Sequence, residues 1–215
     1  MIIGISGYVG NRLTGIGRVL INILSELAKQ YPEDKYVLFR NFDFKEYDNL
    51  TQYQNIEIVD VPYTKESGLK NILWHQWLFQ KLLKKYKCDI AYIPNFTLLL
   101  WKTIPTIVTI HDLIEYNVPD KFSKARMFYR KQVCDPLMAK KSNHILTVSK
   151  SSYKDIISYL GVKPSKLTLT LNATDRNVFK KYSKEKIIPA IKKYNLEYKK
   201  YLLFVGTIDF PGKNI

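Results

Sequence analysis

Residues 106–113 read Thr-Ile-Val-Thr-Ile-His-Asp-Leu, an apolar, β-branched run that is followed by two polar side chains. A second apolar run, Asp89–Ile93, lies shortly before it. Continuous apolar runs of this length are typical of strands in a parallel sheet that is covered on both faces. The two runs therefore predict buried strands, with His111 and Asp112 at the carboxyl end of one of them.

Strand-like and helix-like segments alternate along the rest of the chain. The predicted strands are Ile2–Ser6, Tyr36–Phe39, Ile56–Val61, Asp89–Ile93, Thr106–Ile110, His144–Val148, Leu167–Leu171 and Tyr201–Val205. The predicted helices are Gly17–Gln30, Leu69–Tyr86, Ser123–Lys141, one that ends at Gly161, and Lys184–Tyr194. This alternation predicts right-handed βαβ units and an α/β fold with a doubly wound, mostly parallel, Rossmann-like sheet.

The composition is ordinary for a globular domain: 46% of the 215 residues are apolar and 25% are charged. No apolar run reaches the length of about 18 residues that a membrane-spanning helix requires. The first residues read as a buried strand and not as a signal peptide, so a cytoplasmic location is expected. Cys88 and Cys134 lack metal-ligand spacing and are interpreted as packing residues.

The net charge of +15 comes mainly from lysines spread along the whole chain. Such a field attracts nucleotide phosphates, nucleic acid or an anionic membrane face, although it also serves solubility alone. No zinc-finger, RNA-recognition or basic heptad pattern is present, so nucleic acid is not a predicted partner. Trp74, Trp77 and the nearby lysines are candidate membrane contacts, with burial of both tryptophans in the core as the other interpretation.

In an open parallel sheet, ligands bind beyond the carboxyl ends of the strands. Thr14-Gly-Ile-Gly-Arg18 follows the first predicted strand, and its Gly15 and Gly17 would let a backbone approach a phosphate at a helix N-terminus. The third glycine of the dinucleotide-binding pattern is absent. A tight turn that merely starts a helix explains the same residues.

Polar residues follow four further strands, and most of them have two interpretations. His111 is a ligand-binding group that titrates near neutral pH, or a structural histidine beside a helix-capping Asp112. Ser149 is a ligand contact or an N-cap, and Asn172 is a ligand contact or part of a plain turn. Lys213 follows a glycine at the start of a predicted helix, which suits phosphate binding.

Taken in this order, the motifs resemble those of the retaining glycosyltransferases of the large family four, which have the GT-B fold of two Rossmann-like domains. The resemblance covers nearly the whole chain and rests on residues 14–18, 108–113, 145–152, 172–179, 203–207 and 213–215. It implies an N-terminal, acceptor-side domain over residues 1–183. Residues 184–215 would be an interdomain linker and the first strand of a nucleotide-sugar-binding domain that is otherwise missing.

The resemblance also implies retaining transfer of a hexose from a nucleotide sugar to a glycan or lipid-linked acceptor, in cell-surface polysaccharide synthesis and without a metal or other cofactor. By resemblance, Gly15 and Gly17 line the cleft near the donor diphosphate, and His111 orients the sugar or the acceptor. Lys213 looks like the lysine that neutralises the leaving diphosphate. The remaining implied substrate-binding residues are Arg18, Asp112, Ser149 and Asn172.

The sequence departs from the family pattern in three places. Asn172-Ala173 stands where the family usually has Asn-Gly, Thr207 stands where many members have arginine, and the family's pair of C-terminal glutamates has no counterpart. We therefore expect the chain alone to be inactive and a separate C-terminal domain to be a partner. Two other hypotheses stay open: an acceptor- or membrane-binding module at the inner face of the cell membrane, and an unrelated Rossmann-like nucleotide binder.

Overall fold

The computed structural model describes residues 1–8, 13–61, 68–95, 97–119, 121–174 and 179–206, except for the side chains of residues 68 and 69. Within these ranges, seven strands form one sheet. They are β1 (Ile2–Gly7), β2 (Lys35–Arg40), β3 (Ile56–Asp60), β4 (Ile90–Ile93), β5 (Thr106–Thr109), β6 (His144–Thr147) and β7 (Leu167–Leu169). Their order is β3-β2-β1-β4-β5-β6-β7, and all neighbouring pairs are parallel.

The helices separate the strands along the chain, as the alternating pattern predicts. They are α1 (Gly15–Gln30), α2 (residues 68–85: Gly68–Leu73, a π-helical segment Trp74–Leu78, and Phe79–Lys85), α3 (Ile114–Asn117), α4 (residues 124–141: Lys124–Phe128, a π-helical segment Tyr129–Cys134, and Asp135–Lys141), α5 (Lys150–Leu160) and α6 (Lys184–Lys192). Two 3₁₀-helices, Lys45–Leu50 and Pro164–Lys166, lie in connections.

Side-chain alternation along the strands divides the core into two layers, one on each face of the sheet. In β2, Tyr36 and Leu38 belong to the layer that α1 and the first 3₁₀-helix cover, whereas Val37 and Phe39 belong to the opposite layer. The opposite layer is closed by residues of α2, α4 and α5, among them Trp74, Phe79, Leu83, Met138 and Ile156. Helices on both faces confirm the predicted doubly wound α/β fold.

A glycine in β1 allows α2 to pack closely on the sheet. A Cβ atom at Gly4 would overlap Leu83 Cδ2 and lie 2.8 Å from Cys88 Sγ, and both neighbours are buried. A larger residue here would push α2 away from β1, because a well-packed core has no spare volume. This close approach matters for the site, since α2 holds both β1 and the loop after β4.

The chain divides into two compact units, Met1–Leu171 and Asn172–Ile215. The first contains the whole sheet and α1–α5, and the second contains α6. The predicted strand Tyr201–Val205 is wrong: residues 201–206 have no regular secondary structure, and the side chains of Leu202 and Val205 are exposed. A strand needs a hydrogen-bonded neighbour, and no strand of the described ranges pairs with this segment.

Candidate functional site

The strand order reverses between β1 and β4, which is the position where open α/β sheets bind ligands. From β1 the chain moves outward through β2 to β3, whereas β4 begins the other half of the sheet. All strands are parallel, so the segments that follow β1, β4, β5 and β6 leave the same edge. Strands lie roughly 4.8 Å apart, which puts the segments after β1 and β5 within about 10 Å of each other across the sheet.

The helix that follows β1 begins without a side-chain cap. Thr14 has the extended backbone of an N-cap residue, but its side chain makes no capping hydrogen bond and no acidic residue lies in the first turn. Gly15 is exposed, and a Cβ atom there would meet nothing within 4 Å, whereas Gly17 is buried. Among the described residues, no side chain caps the first backbone N–H groups of α1, which lie at the positive end of its dipole, where an anion is stabilised.

Arg18 lies in the first turn of α1, but its side chain is directed to a surface partner. Its Nη2 contacts Glu46 Oε1 of the 3₁₀-helix Lys45–Leu50 at 3.4 Å, and both side chains are largely exposed. An exposed pair of this length contributes little to stability. The guanidinium is thus free to exchange Glu46 for an anionic ligand, and the predicted role of Arg18 in substrate binding stays a prediction.

His111 lies two residues after the end of β5 and is held by two hydrogen bonds, one to its ring and one to its backbone. Its Nε2 lies 3.0 Å from the carbonyl oxygen of Pro94, the first residue after β4. A carbonyl oxygen can only accept, so Nε2 carries the proton and the Nδ1 of the neutral imidazole is an acceptor. The His111 carbonyl oxygen accepts a hydrogen bond of 2.8 Å from Ser152 Oγ. Pro94 therefore orients the ring and Ser152 holds the backbone, while the side chain remains partly exposed.

Asp112 and Ser149 support the segment that carries His111. Asp112 Oδ1 accepts a hydrogen bond of 3.2 Å from Ile114 N at the start of α3. Ser149 is the N-cap of α5: its Oγ accepts from Ser152 N at 3.0 Å and donates to Ser152 Oγ at 2.9 Å. These hydrogen bonds, from Ser149 to Ser152 and from Ser152 to the His111 carbonyl oxygen, tie the cap of α5 to the segment that carries His111. Ser152, which sequence reasoning did not select as a site residue, is the link.

A buried polar network lies beneath the carboxyl end of β1. Ser6 Oγ accepts hydrogen bonds from Trp74 Nε1 at 3.3 Å and Tyr8 N at 3.4 Å, and it donates to His75 Nε2 at 3.0 Å. His75 Nδ1 donates to Asn71 O at 2.9 Å, and burial lowers the pKa of His75 to about 4. His75 is therefore a neutral structural group that ties β1 to α2.

The loop after β4, which supplies the carbonyl partner of His111, is also anchored on α2. Gln76 donates to Leu98 O at 2.7 Å and accepts from Leu100 N at 2.9 Å. Gln80 Oε1 accepts from Thr103 N at 3.0 Å and from its hydroxyl at 2.9 Å. Two buried glutamines of one helix thus hold the loop, an arrangement that apolar periodicity does not reveal.

The remaining two predicted site residues, Asn172 and Lys213, lie outside the first unit or outside the described residues. Asn172 is an exposed residue without regular secondary structure in the second unit. Lys213 lies outside the described residues. Among the described residues, no group of three His, Cys, Asp or Glu side chains is arranged as a metal site. The structure thus brings together His111, Asp112 and Ser149, with Gly15, Gly17 and Arg18 at the same edge of the sheet.

Comparison with known proteins gives both a family and a relative. The model of Glycosyltransferase Family 4 matches residues 13–178. The O-antigen chain mannosyltransferase B of Escherichia coli is 28% identical over 216 residues, which cover 94% of this chain and 54% of that protein. The chain thus spans about half the length of this curated relative.

Two solved structures share the fold. WaaG, a glycosyltransferase involved in lipopolysaccharide biosynthesis, aligns with a TM-score of 0.63 at 12% identity, over 91% of this chain and 52% of WaaG. A glycosyltransferase from Rickettsia africae aligns with a TM-score of 0.55 at 11% identity, over 92% of this chain and 50% of that one. The family match spans every predicted site residue from Gly15 to Asn172, and the chain belongs to Glycosyltransferase Family 4.

Proposed function

We propose that the protein transfers a sugar from a nucleotide sugar to a glycan or lipid-linked acceptor, with retention of anomeric configuration, in cell-surface polysaccharide synthesis. Membership of Glycosyltransferase Family 4 supports this proposal, and the Escherichia coli relative is named as an O-antigen mannosyltransferase. The observation that carries it is His111, held at the carboxyl edge of the sheet by Pro94 and Ser152.

The proposed chemistry assigns separate tasks to the imidazole and to the helix. The Nδ1 atom of His111 accepts a hydrogen bond from a hydroxyl of the transferred sugar or of the acceptor. The N-terminus of α1 stabilises the negative charge that builds up as the nucleoside diphosphate leaves. Lys213 is the proposed second source of positive charge. This scheme uses no metal ion, so the transfer rate should not change when a chelator is added.

A transfer assay tests the proposal. The 215-residue chain is incubated alone, and together with the C-terminal half of the Escherichia coli relative, with nucleotide-activated mannose first and other nucleotide sugars next. We expect transfer to a lipid-linked glycan in the mixture and little or none from the chain alone, and NMR of the product should show a retained anomeric configuration. Failure to transfer any sugar, although the two halves associate, would contradict the proposal.

A second feature favours contact with a membrane surface. Trp77 is 50% exposed and Trp101 is 43% exposed, and Leu73 and Leu100 beside them are also exposed. Gln76 binds the backbone N–H groups of Leu100 and Trp101, which places this loop next to the turn of α2 that carries Trp77. We call Leu73, Trp77, Leu100 and Trp101 the apolar patch.

Positive charge continues from the patch along α2, where Lys81, Lys84 and Lys85 are exposed. Exposed tryptophans next to lysines are typical of surfaces that bind at the interface of anionic bilayers. No helix of the described ranges is long and apolar enough to span a membrane. Trp74, the other predicted contact, is fully buried and cannot take part. We propose that the patch holds the protein at the membrane that carries the lipid-linked acceptor.

Vesicle flotation tests the patch. We expect the chain to float with anionic vesicles and much less with neutral ones, and the Trp77→Ala, Trp101→Ala double variant to lose most of the bound fraction. Phe128→Ala is the matched control, because Phe128 on α4 is 67% exposed and lies outside the patch. Equal flotation of the double variant and the unaltered chain would show that the patch does not bind lipid.

A further inference from the structure

A buried group of three charged side chains supports the segment that carries His111. Glu115 lies on α3, four positions after His111, and Asp135 lies on α4. Both acids are fully buried. Arg130, from the π-helical part of α4, contacts Glu115 Oε1 through its Nε at 2.9 Å. Two carboxyl groups therefore share this interior with one guanidinium group.

If both acids were ionised, this group would contain more carboxylate oxygens that need a hydrogen-bond donor than donors to supply them. Glu115 Oε2 and both carboxyl oxygens of Asp135 have no hydrogen-bond partner among the described residues. The nearby hydroxyl of Tyr116, whose pKa Asp135 raises, donates its proton to the Lys131 carbonyl oxygen at 3.1 Å and so does not supply the missing donor. The two carboxyls lie within hydrogen-bonding reach of each other, but ionised carboxylates only accept. A proton on one acid supplies the donor and removes the second negative charge from the core, where an unpaired charge is costly.

We propose that Glu115 and Asp135 share one proton and, with Arg130, form a neutral buried anchor that fixes α3 and the adjoining His111 segment against α4. Because the guanidinium of Arg130 pairs directly with Glu115 at 2.9 Å, we place the shared proton on Asp135. Burial, followed by the contact with Glu115, raises the pKa of Asp135 well above its ordinary value. Any effect of this anchor on sugar transfer, through His111, rests on the proposed function. The inference that the two acids share a proton does not depend on it.

The surrounding groups favour this protonation state. Burial raises the pKa of Tyr116, of Tyr129 and, to about 12, of Cys134, so these groups stay neutral around neutral pH. The negative charge of Asp112 also raises the pKa of Asp135. Within the described ranges, the other charged groups that face this cluster are Arg126, next to Arg130, and Lys131, whose ammonium lies 5.0 Å from the ring centre of Tyr116.

The proposal predicts an unusual dependence of stability on pH. In the unfolded chain, Asp135 loses its proton near the ordinary pKa of 3.8, whereas the folded chain keeps it to higher pH. The folded state then binds more protons than the unfolded state, so this group makes the protein less stable as pH rises from about 4 towards the raised pKa. In the Asp135→Asn variant, the asparagine cannot ionise but still offers a hydrogen-bond donor in a side chain of similar shape. The variant should therefore not lose stability in this way as the pH rises.

Thermal unfolding between pH 5 and pH 8 tests the prediction. The quantity to follow is the Tm of Asp135→Asn minus the Tm of the unaltered chain at the same pH. We expect this Tm difference to increase steadily with pH, by several degrees in total. Asp48→Asn is the control, because Asp48 is exposed, and its Tm difference should not change with pH. A difference that falls with pH would overturn the proposal, because that is the sign expected for an ionised Asp135 in a stabilising ion pair. A difference independent of pH would overturn it as well.

Infrared spectroscopy of the unaltered chain makes the test independent of how well the variant folds. At pH 7.5 we expect the carbonyl stretch of one protonated carboxyl group, which is absent from Asp135→Asn and retained in Asp48→Asn. Absence of this band from the unaltered chain would overturn the shared proton. Such a result would leave the transfer assay unaffected, so the two proposals can fail separately.

Discussion

Replacing His111 with alanine is expected to lower the transfer rate about 10²–10³-fold in the assay of the combined halves. The substitution removes the Nδ1 acceptor that we place against a hydroxyl of the sugar or the acceptor. It also removes the hydrogen bond from Nε2 to the Pro94 carbonyl oxygen. Initial rates at saturating donor measure the effect on kcat, and donor titration separates it from a change in KM.

The chain offers a matched control for this substitution. The sequence contains three histidines: His75 is buried in the core, His111 lies at the carboxyl edge, and His144 begins β6 at the opposite edge. His144 Nε2 contacts Thr168 Oγ1 at 2.8 Å, away from the predicted site. We expect His144→Ala to change kcat less than about twofold, as its side chain is remote from the chemistry. A His111→Ala protein that keeps most of its rate would refute the assigned role.

Replacing Trp74 with alanine is expected to destabilise the first unit by about 3–5 kcal/mol. The side chain is fully buried between α2 and the sheet, and its removal leaves a cavity that the surroundings can fill only in part. The variant also loses the donor to Ser6 Oγ, the centre of the polar network beneath β1. Natural domains have about 5–15 kcal/mol of total stability, so this loss is a large fraction of it.

Trp77 provides the comparison on the same helix. It is 50% exposed, so we expect Trp77→Ala to change stability by less than about 1 kcal/mol. Urea unfolding followed by circular dichroism measures both variants, and their midpoints should differ clearly. Similar losses of stability for the two variants would contradict the burial of Trp74 in the core. The two variants also distinguish the two roles of α2, which are core packing through Trp74 and the proposed membrane contact through Trp77, since only Trp77 belongs to the apolar patch.

Much of the fold could be predicted because buried strands and amphipathic helices leave periodic patterns in the sequence. The strands β1–β7 lie within a few residues of the predicted runs. The run Tyr201–Val205 has an equally strong pattern but forms no strand. The pattern reports which residues tend to be buried in a sheet, but it does not supply the neighbouring strand that the backbone needs.

The site could be predicted only as a set of candidate positions. The parallel sheet places the residues after β1, β5 and β6 at one edge, so Gly15, His111 and Ser149 were accessible to sequence reasoning. The partners that orient His111 were not, because one is the backbone carbonyl of Pro94 and the other is a serine inside a helix. Neither has a recognisable spacing from the histidine.

The sequence by itself determined the α/β class, the alternation of strands and helices, and the motifs that mark Glycosyltransferase Family 4, because these depend on residue type and local spacing. Only the tertiary structure decided that Trp74 is buried while Trp77 is exposed, and that Glu115 meets Asp135 and Arg130 in the core. Such differences arise from the packing of helices on a sheet, which joins residues that are distant in the chain and leaves no local signature.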